Sequence, residues 1–248
     1  MTAGLDILCD AITKRFDATE AVAPFSVSFG AGQTTALVGP SGCGKSTILR
    51  MIAGLEAPDS GTLTLGGAPP KHAARRGALA MAFQDPSLLP WRTVRANIAL
   101  GAQLARKSAG DVDALIDLVG LAGFADHRPA ELSGGMRQRA AIARSLISAP
   151  EVLLLDEPFG AVDAMTRRRL NEDLPPLWRS KGATVVLVTH SVQEAVLLSD
   201  RVLILSPRPA RIVADIPVTL DRRDTSVVDT PAFSTLSRTV FDALEQDA

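Results

Sequence analysis

Gly39-Pro40-Ser41-Gly42-Cys43-Gly44-Lys45-Ser46, followed by Thr47, reads G-x-x-x-x-G-K-[ST]. Residues 34–38 (TTALV) before it form a short apolar strand, and residues 46–53 (STILRMIA) after it form a helix stopped by Gly54. In that context the segment is predicted to be a phosphate-binding loop. The chemistry demands glycine, because the backbone has to curl until several N–H groups converge on phosphate oxygens. The helix start adds its partial positive charge. Lys45 is placed to reach β- and γ-phosphates, and the Ser46 hydroxyl to ligate Mg²⁺. The bland alternative is a chance glycine turn, which leaves the strand–loop–helix order unexplained. Cys43 is read as a small residue on a crowded loop rather than a redox control point.

Outward from the loop, residues 152–157 (VLLLDE) are an apolar strand ending in two carboxylates. In a parallel sheet the ligand crevice lies at the carboxyl ends of the strands, so the pair would emerge beside the phosphate loop. Asp156 would then hold the Mg²⁺ shell, and Glu157 would act as general base on the attacking water. In isolation the same pair could be a turn after a core strand. Further strands are expected at 6–13, 25–29, 61–65, 79–83, 184–188 and 202–205, with helices at 165–174 and 192–198. Strands alternating with helices imply an α/β fold with a mostly parallel sheet. From about 85 to 150 the texture changes to helices separated by Pro and Gly, at 94–104, 112–119 and 134–148. This block reads as a helical insertion between two halves of the sheet. The tail after about 217 is too short for another independent domain.

The whole chain sets the outer bounds. It has 248 residues, 46% of them apolar and 21% charged, with a net charge of −1. That supplies a core but no positive field for nucleic acid or anionic lipid. No internal repeat is visible. The apolar runs are strand-sized, the first ten residues (MTAGLDILCD) lack the features of a secretory leader, and two cysteines make no disulfide framework. These features fit a cytosolic protein.

Residues 132–138 (LSGGMRQ) carry a second phosphate-site pattern: Ser133 as N-cap, then Gly134 and Gly135 leaving a helix N-terminus open to an anion. On a chain with one phosphate loop, that suggests service to another subunit's nucleotide. An ordinary capped helix after a glycine turn remains an equal reading.

The segment resembles the signature motif of ABC-type ATPases, and the resemblance extends over essentially the whole chain. It implies a P-loop NTPase (RecA-like) core, an N-terminal antiparallel β subdomain and an inserted helical subdomain at about 85–150, within a single ATPase domain over 1–248. ATP and Mg²⁺ are the implied ligands. Gln84 resembles the Q-loop glutamine that contacts Mg²⁺ and the attacking water. Asp163 resembles the D-loop aspartate that communicates across a dimer, and His190 the switch histidine at the γ-phosphate. Phe16 stands where the family places the aromatic that stacks on adenine. Two chains are implied to pack head-to-tail, with Ser133, Gly134, Gly135 and Gln138 of one closing on the nucleotide of the other. Two departures are visible: Ser191 follows His190 where an acid is usual, and Gly160-Ala161-Val162 replaces the commoner D-loop residues.

Residues 87–94 (SLLPWRTV) are apolar and proline-stiffened, and Trp91 could pack inward or line a docking groove. LLPW after Gln84, DEPFGAVD at 156–163 and SPRPARI at 206–212 look like the nitrate/sulfonate/taurine group of importer ATPases. That likeness implies an integral membrane permease beside Gln84, a solute-binding protein outside, and a peripheral place on the cytoplasmic face of the membrane. Sulfonate, taurine, nitrate or a pyrimidine vitamin precursor are admissible cargoes. The rivals are a soluble ABC protein on DNA or ribosomes, and a regulatory module with weak catalysis. The first lacks its coiled coils and zinc insertions; Glu157 and His190 argue against the second. His72 and His127 are read as structural, and Arg167-Arg168-Arg169 as a solvated helix face.

Overall fold

Strands 34–38, 152–156, 184–188 and 201–205 are the apolar runs of the sequence, and burial on both faces explains why they do not alternate with polar residues. The computed structural model describes residues 4–220 and 225–246. The first three residues of the leader reading, and 221–224 and 247–248 of the tail, lie outside them.

The described elements run β1 (Ile7–Phe16), β2 (Thr19–Phe29), β3 (Thr34–Val38), α1 (Lys45–Ile52), β4 (Ser60–Leu65), α2 (Pro70–Arg75), β5 (Leu79–Ala82), α3 (Val94–Leu104), α4 (Val112–Leu118), α5 (Gly134–Leu146), β6 (Val152–Asp156), α6 (Ala164–Asp173), α7 (Pro175–Arg179), β7 (Thr184–Val188), α8 (Val192–Leu198), β8 (Arg201–Leu205), β9 (Ile212–Pro217) and α9 (Pro231–Glu245). One sheet has the order β5-β6-β7-β3-β8-β9. Its first five strands are parallel, and β9 pairs antiparallel with β8. The second sheet, β2-β1-β4, is antiparallel.

Within the large sheet the side-chain period of two divides one strand between two cores. Leu153, Leu155, Val185, Leu187 and Ile204 face the core shared with α3, α5 and α8. Leu154, Val186, Val188, Leu203 and Leu205 face the core shared with α1 and the antiparallel sheet. The phosphate-loop helix is thus clamped between two sheets. Its outer neighbour β1 is longer than the expected 6–13, and β2 starts six residues before the expected 25. Residues 14–16 are half-exposed or exposed, and residues 19–24 mix exposed Thr19 and Pro24 with buried Ala21, Val22 and Ala23, so neither extension shows a clean alternation. β9, a strand not among those expected, forms the edge of the large sheet, and in the tail α9 buries Phe233 and Val240.

Between β5 and β6, α3 to α5 join the first core through Ile98, Ile116 and Ala140. Asn97, fully buried, organises the segment before α3. Its Oδ1 accepts from Leu89 N at 2.8 Å, and its Nδ2 donates to the carbonyls of Leu89, Arg92 and Thr93. Trp91 is 68% exposed, which removes the inward-packed alternative. Among the described residues no helix is long and apolar enough to cross a membrane.

Candidate functional site

Four parallel strands deliver the candidate groups to one edge of the sheet. Asp156, the last residue of β6, pairs with Val188, the last of β7, and Val38 at the end of β3 pairs with Ile204 of β8. The loops leaving β3, β6, β7 and β8 therefore emerge side by side. They carry the glycine loop, Glu157, His190 and Arg208 respectively.

A cavity of about 570 Å³ opens there, lined by Phe16, Ser41, Gly42, Gly44, Lys45, Ser46, Thr47, Gln84, Glu157 and Arg208, with Asp17, Thr19 and Ala21 on the outer wall. The glycine requirement is physical at Gly44, where φ is 127° and an added Cβ would lie 2.7 Å from the Ala21 carbonyl oxygen. No side chain caps the N-terminus of α1, so the backbone donors of its first turn remain available to an anion. Lys45 is buried, and its Nζ donates to the carbonyls of Gly39 and Pro40, each at 2.7 Å. Its ammonium is thus folded onto the loop, with Cys43 Sγ 3.8 Å away and buried.

Ser46 Oγ donates to Asp156 Oδ1 at 3.0 Å. Burial of the Asp156 carboxyl raises its pKa, opposed by the Ser46 hydrogen bond and reinforced by neighbouring Glu157. A hydroxyl and a hard carboxylate oxygen at one spot beside a phosphate loop suit Mg²⁺, which takes few protein ligands and completes its shell with water and phosphate. Among the described residues no three His, Cys, Asp or Glu side chains form a metal cage of their own.

Glu157 has φ +47°, a left-handed backbone that costs a residue with a side chain about 1–2 kcal/mol. Its amide donates to the Val188 carbonyl at 2.9 Å, fixing the loop to the end of β7. Its Oε2 lies 3.4 Å from His190 Nδ1 and 3.5 Å from Gln84 Nε2. Phe16 is exposed on the far wall with Lys14 Nζ 5.4 Å above its ring.

The remaining expected residues lie elsewhere. Ser133 is exposed and caps α5 through Met136 N, and Gly134 is exposed beside it. Gly135 abuts the loop after β6, since a Cβ there would meet the Ala161 oxygen at 2.9 Å. Asp163 caps α6 through Thr166 N, a hydrogen bond that lowers its pKa. None of these lines the cavity of its own chain. Gln138 departs from its expected contact with a nucleotide. It is buried, and its Nε2 donates at 3.2 Å to the carbonyl of Phe83, next to Gln84. One helical turn inside α5 its side chain points into the chain, where it holds the segment leaving β5.

Arg208 is a cavity residue that motif reading passed over. Its Nε and Nη2 both donate to the Gly42 carbonyl, at 3.0 and 2.5 Å. The SPRPARI stretch that contains it was informative only as a likeness, because the pairing spans 166 residues of sequence.

A phosphate loop after β3, a histidine after the adjacent strand β7 and a carboxylate pair at the end of β6 beyond it define a P-loop ATPase. The chain belongs to the ABC transporter family, whose model matches residues 22–160. It is 46% identical over 212 residues to the aliphatic sulfonates import ATP-binding protein SsuB of Cupriavidus necator, covering 85% of this chain and 69% of that protein. It is 47% identical over 209 residues to the taurine import ATP-binding protein TauB of Burkholderia pseudomallei, covering 81% and 78%. The fold superposes with a TM-score of 0.77 at 26% identity on the dimeric ATP-binding cassette MJ0796 in a post-hydrolysis state with ADP and Pi, over 86% of this chain and 99% of that one. The chain is an ABC-type ATPase.

Proposed function

We propose that this chain is the ATP-hydrolysing subunit of an importer for a small solute of the sulfonate or taurine type, working as a head-to-tail pair beneath a separate membrane permease. Support for the cargo class comes from the relatives named for aliphatic sulfonates and taurine import. The observation that carries the chemistry is the meeting of Gln84 and His190 on one oxygen of Glu157, at the rim of a cavity floored by Lys45 and Ser46.

In this reading Phe16 stacks on the adenine. Gly39 to Thr47 wrap the phosphates, and Lys45 exchanges its two carbonyl partners for phosphate oxygens. Ser46, Asp156 and Gln84 would hold Mg²⁺, which supplies neutralisation of charge on the phosphate oxygens. Glu157 accepts a proton from the water that attacks phosphorus, and Gln84 and His190 orient that water and the terminal phosphate. Ser133, Gly134 and Gly135 of a second copy, with its Asp163, close the open side. Exposed Trp91 and Leu104 beside the Gln84 segment present apolar surface for a permease helix, held in shape by Asn97 and by Arg144, which donates to the Pro86 and Ser87 carbonyls.

Co-purification of the full chain from membranes tests the assembly. The expected result is a hydrophobic permease in the complex, with ATPase activity raised by a solute-binding protein loaded with sulfonate or taurine. Stable association with ribosomes or DNA, and no permease, would sink the transporter reading.

A further inference from the structure

Among the described residues, Asp156 and Glu194 are the buried carboxylates. Asp156 belongs to the nucleotide site through Ser46, whereas Glu194 has no part in it. Burying a carboxylate is costly unless it is bonded and paired. Glu194 Oε2 accepts from the Thr189 hydroxyl at 2.6 Å, and Oε1 stands 3.6 Å from Arg167 Nε. These two contacts run in opposite directions through the fold.

On one side lies the His190 loop. The Thr189 oxygen that donates to Glu194 also accepts from Ser191 N at 3.0 Å, so both neighbours of His190 are tied to one point. The Ser191 hydroxyl in turn accepts from Glu194 N at 3.3 Å, capping α8. On the other side lies the segment before α6. Arg167 Nη2 donates to the Val162 carbonyl at 3.0 Å, and Arg167 N donates to the Asp163 carbonyl at 2.8 Å. Arg167 was expected on a solvated face together with Arg168 and Arg169; instead it is 30% exposed and bridges two loops. A continuous path of contacts therefore joins Val162 and Asp163, through Arg167, Glu194 and Thr189, to His190.

We propose that Glu194 and Arg167 are positioning residues that couple the Asp163 segment to the His190 loop, so that contact of Asp163 with a second copy sets the imidazole on Glu157. The link rests on the roles given to Asp163, Glu157 and His190 above. Its physical content is that Asp163 sits on an exposed turn whose backbone Arg167 grips, while the buried carboxylate transmits displacement without losing its partners. A merely structural Glu194 would anchor α8, and its loss would act independently of the loss of Asp163.

The test is steady-state ATP hydrolysis by the full chain, with affinity for a fluorescent ATP analogue measured in parallel. Glu194→Gln keeps an oxygen for the Thr189 hydroxyl and removes the charge facing Arg167. It is expected to lower kcat about tenfold, a size typical of coupling between sites, with KM and analogue affinity within about twofold. Arg167→Gln combined with Glu194→Gln leaves no uncompensated charge and is expected to match the single Glu194 variant. Asp163→Ala is expected to cost nothing further in the Glu194→Gln background. Unchanged kcat in Glu194→Gln, losses that multiply with Asp163→Ala, or a parallel fall in affinity and melting temperature would each overturn the coupling. His190→Ala in the same assay separates the two levels. Full turnover there removes the reading beneath the proposal, while lost turnover beside a normal Glu194 variant removes the proposal alone.

Discussion

His190 Nδ1 stands 3.4 Å from Glu157 Oε2, although the two residues are separated by a helix pair and a complete strand in the chain. The proximity follows from the pairing of β6 with β7, which places the ends of both strands level. The same oxygen also receives Gln84 from the loop after β5. The strands flanking β6, β5 and β7, thus each aim one side chain at a single oxygen of Glu157, the atom that takes a proton from water in the proposed mechanism.

Replacing Glu157 by Gln preserves shape and removes the base. ATP affinity should stay within about threefold while kcat falls by at least about 100-fold, the usual range for a lost general base. Steady-state hydrolysis and equilibrium nucleotide binding check this; full turnover would take Glu157 out of its role.

Because Ser133 and Gly135 do not line the cavity of their own chain, Lys45→Ala and Ser133→Arg should each be inactive alone yet complement one another. Random pairing leaves one intact composite site in mixed dimers, so an equal mixture should recover about a quarter of the original activity. No recovery on mixing would argue that each chain completes its own site.

Arg208 holds the Gly42 carbonyl at the tip of the phosphate loop. Arg208→Gln should raise KM for ATP roughly 3- to 10-fold, the value of one or two exposed hydrogen bonds to a charged group, with kcat little changed. Substrate-saturation curves distinguish this from a loss of kcat.

Asp156 titrates above the usual carboxylate range because it is buried. With a raised folded pKa, its contribution to stability is present below the ordinary carboxylate pKa and is lost as pH rises through the raised folded value. Above that raised value the nucleotide-free chain carries a desolvated charge. Asp156→Asn should raise its melting temperature by about 3 °C, near 1 kcal/mol for a chain of this size, while abolishing Mg²⁺-dependent hydrolysis. Thermal melts at pH 5 and pH 8 should show the gain shrinking at the lower pH.

Much of the architecture was legible from short stretches. The apolar runs 34–38, 152–156 and 184–188 are continuous because both faces are covered, so strand identity needs no partner information. The N-terminal antiparallel sheet was only partly legible. Residues 14–16 and 19–24 are polar or mixed, and become strand because β1 and β2 pair with each other. The candidate site divides in the same way. Lys45, Ser46, Asp156 and Glu157 follow from local pattern, whereas Gln84, Asp163 and His190 needed likeness to a family. Arg208 had no local signal, since its partner Gly42 lies 166 residues away, and the pairing of Glu194 with Arg167 joins two separate helices.

By itself the sequence determined the phosphate loop, the strand that feeds it and the carboxylate pair, because each is set by residues within a few positions of one another. Tertiary structure alone decided that Gln138 turns inward to Phe83, that Arg208 closes on Gly42, and that Arg167 meets Glu194 instead of solvent. Those outcomes depend on strand order and on which loops the parallel sheet brings level. Such placement is a cooperative property of the packed core, and no short window of residues encodes it.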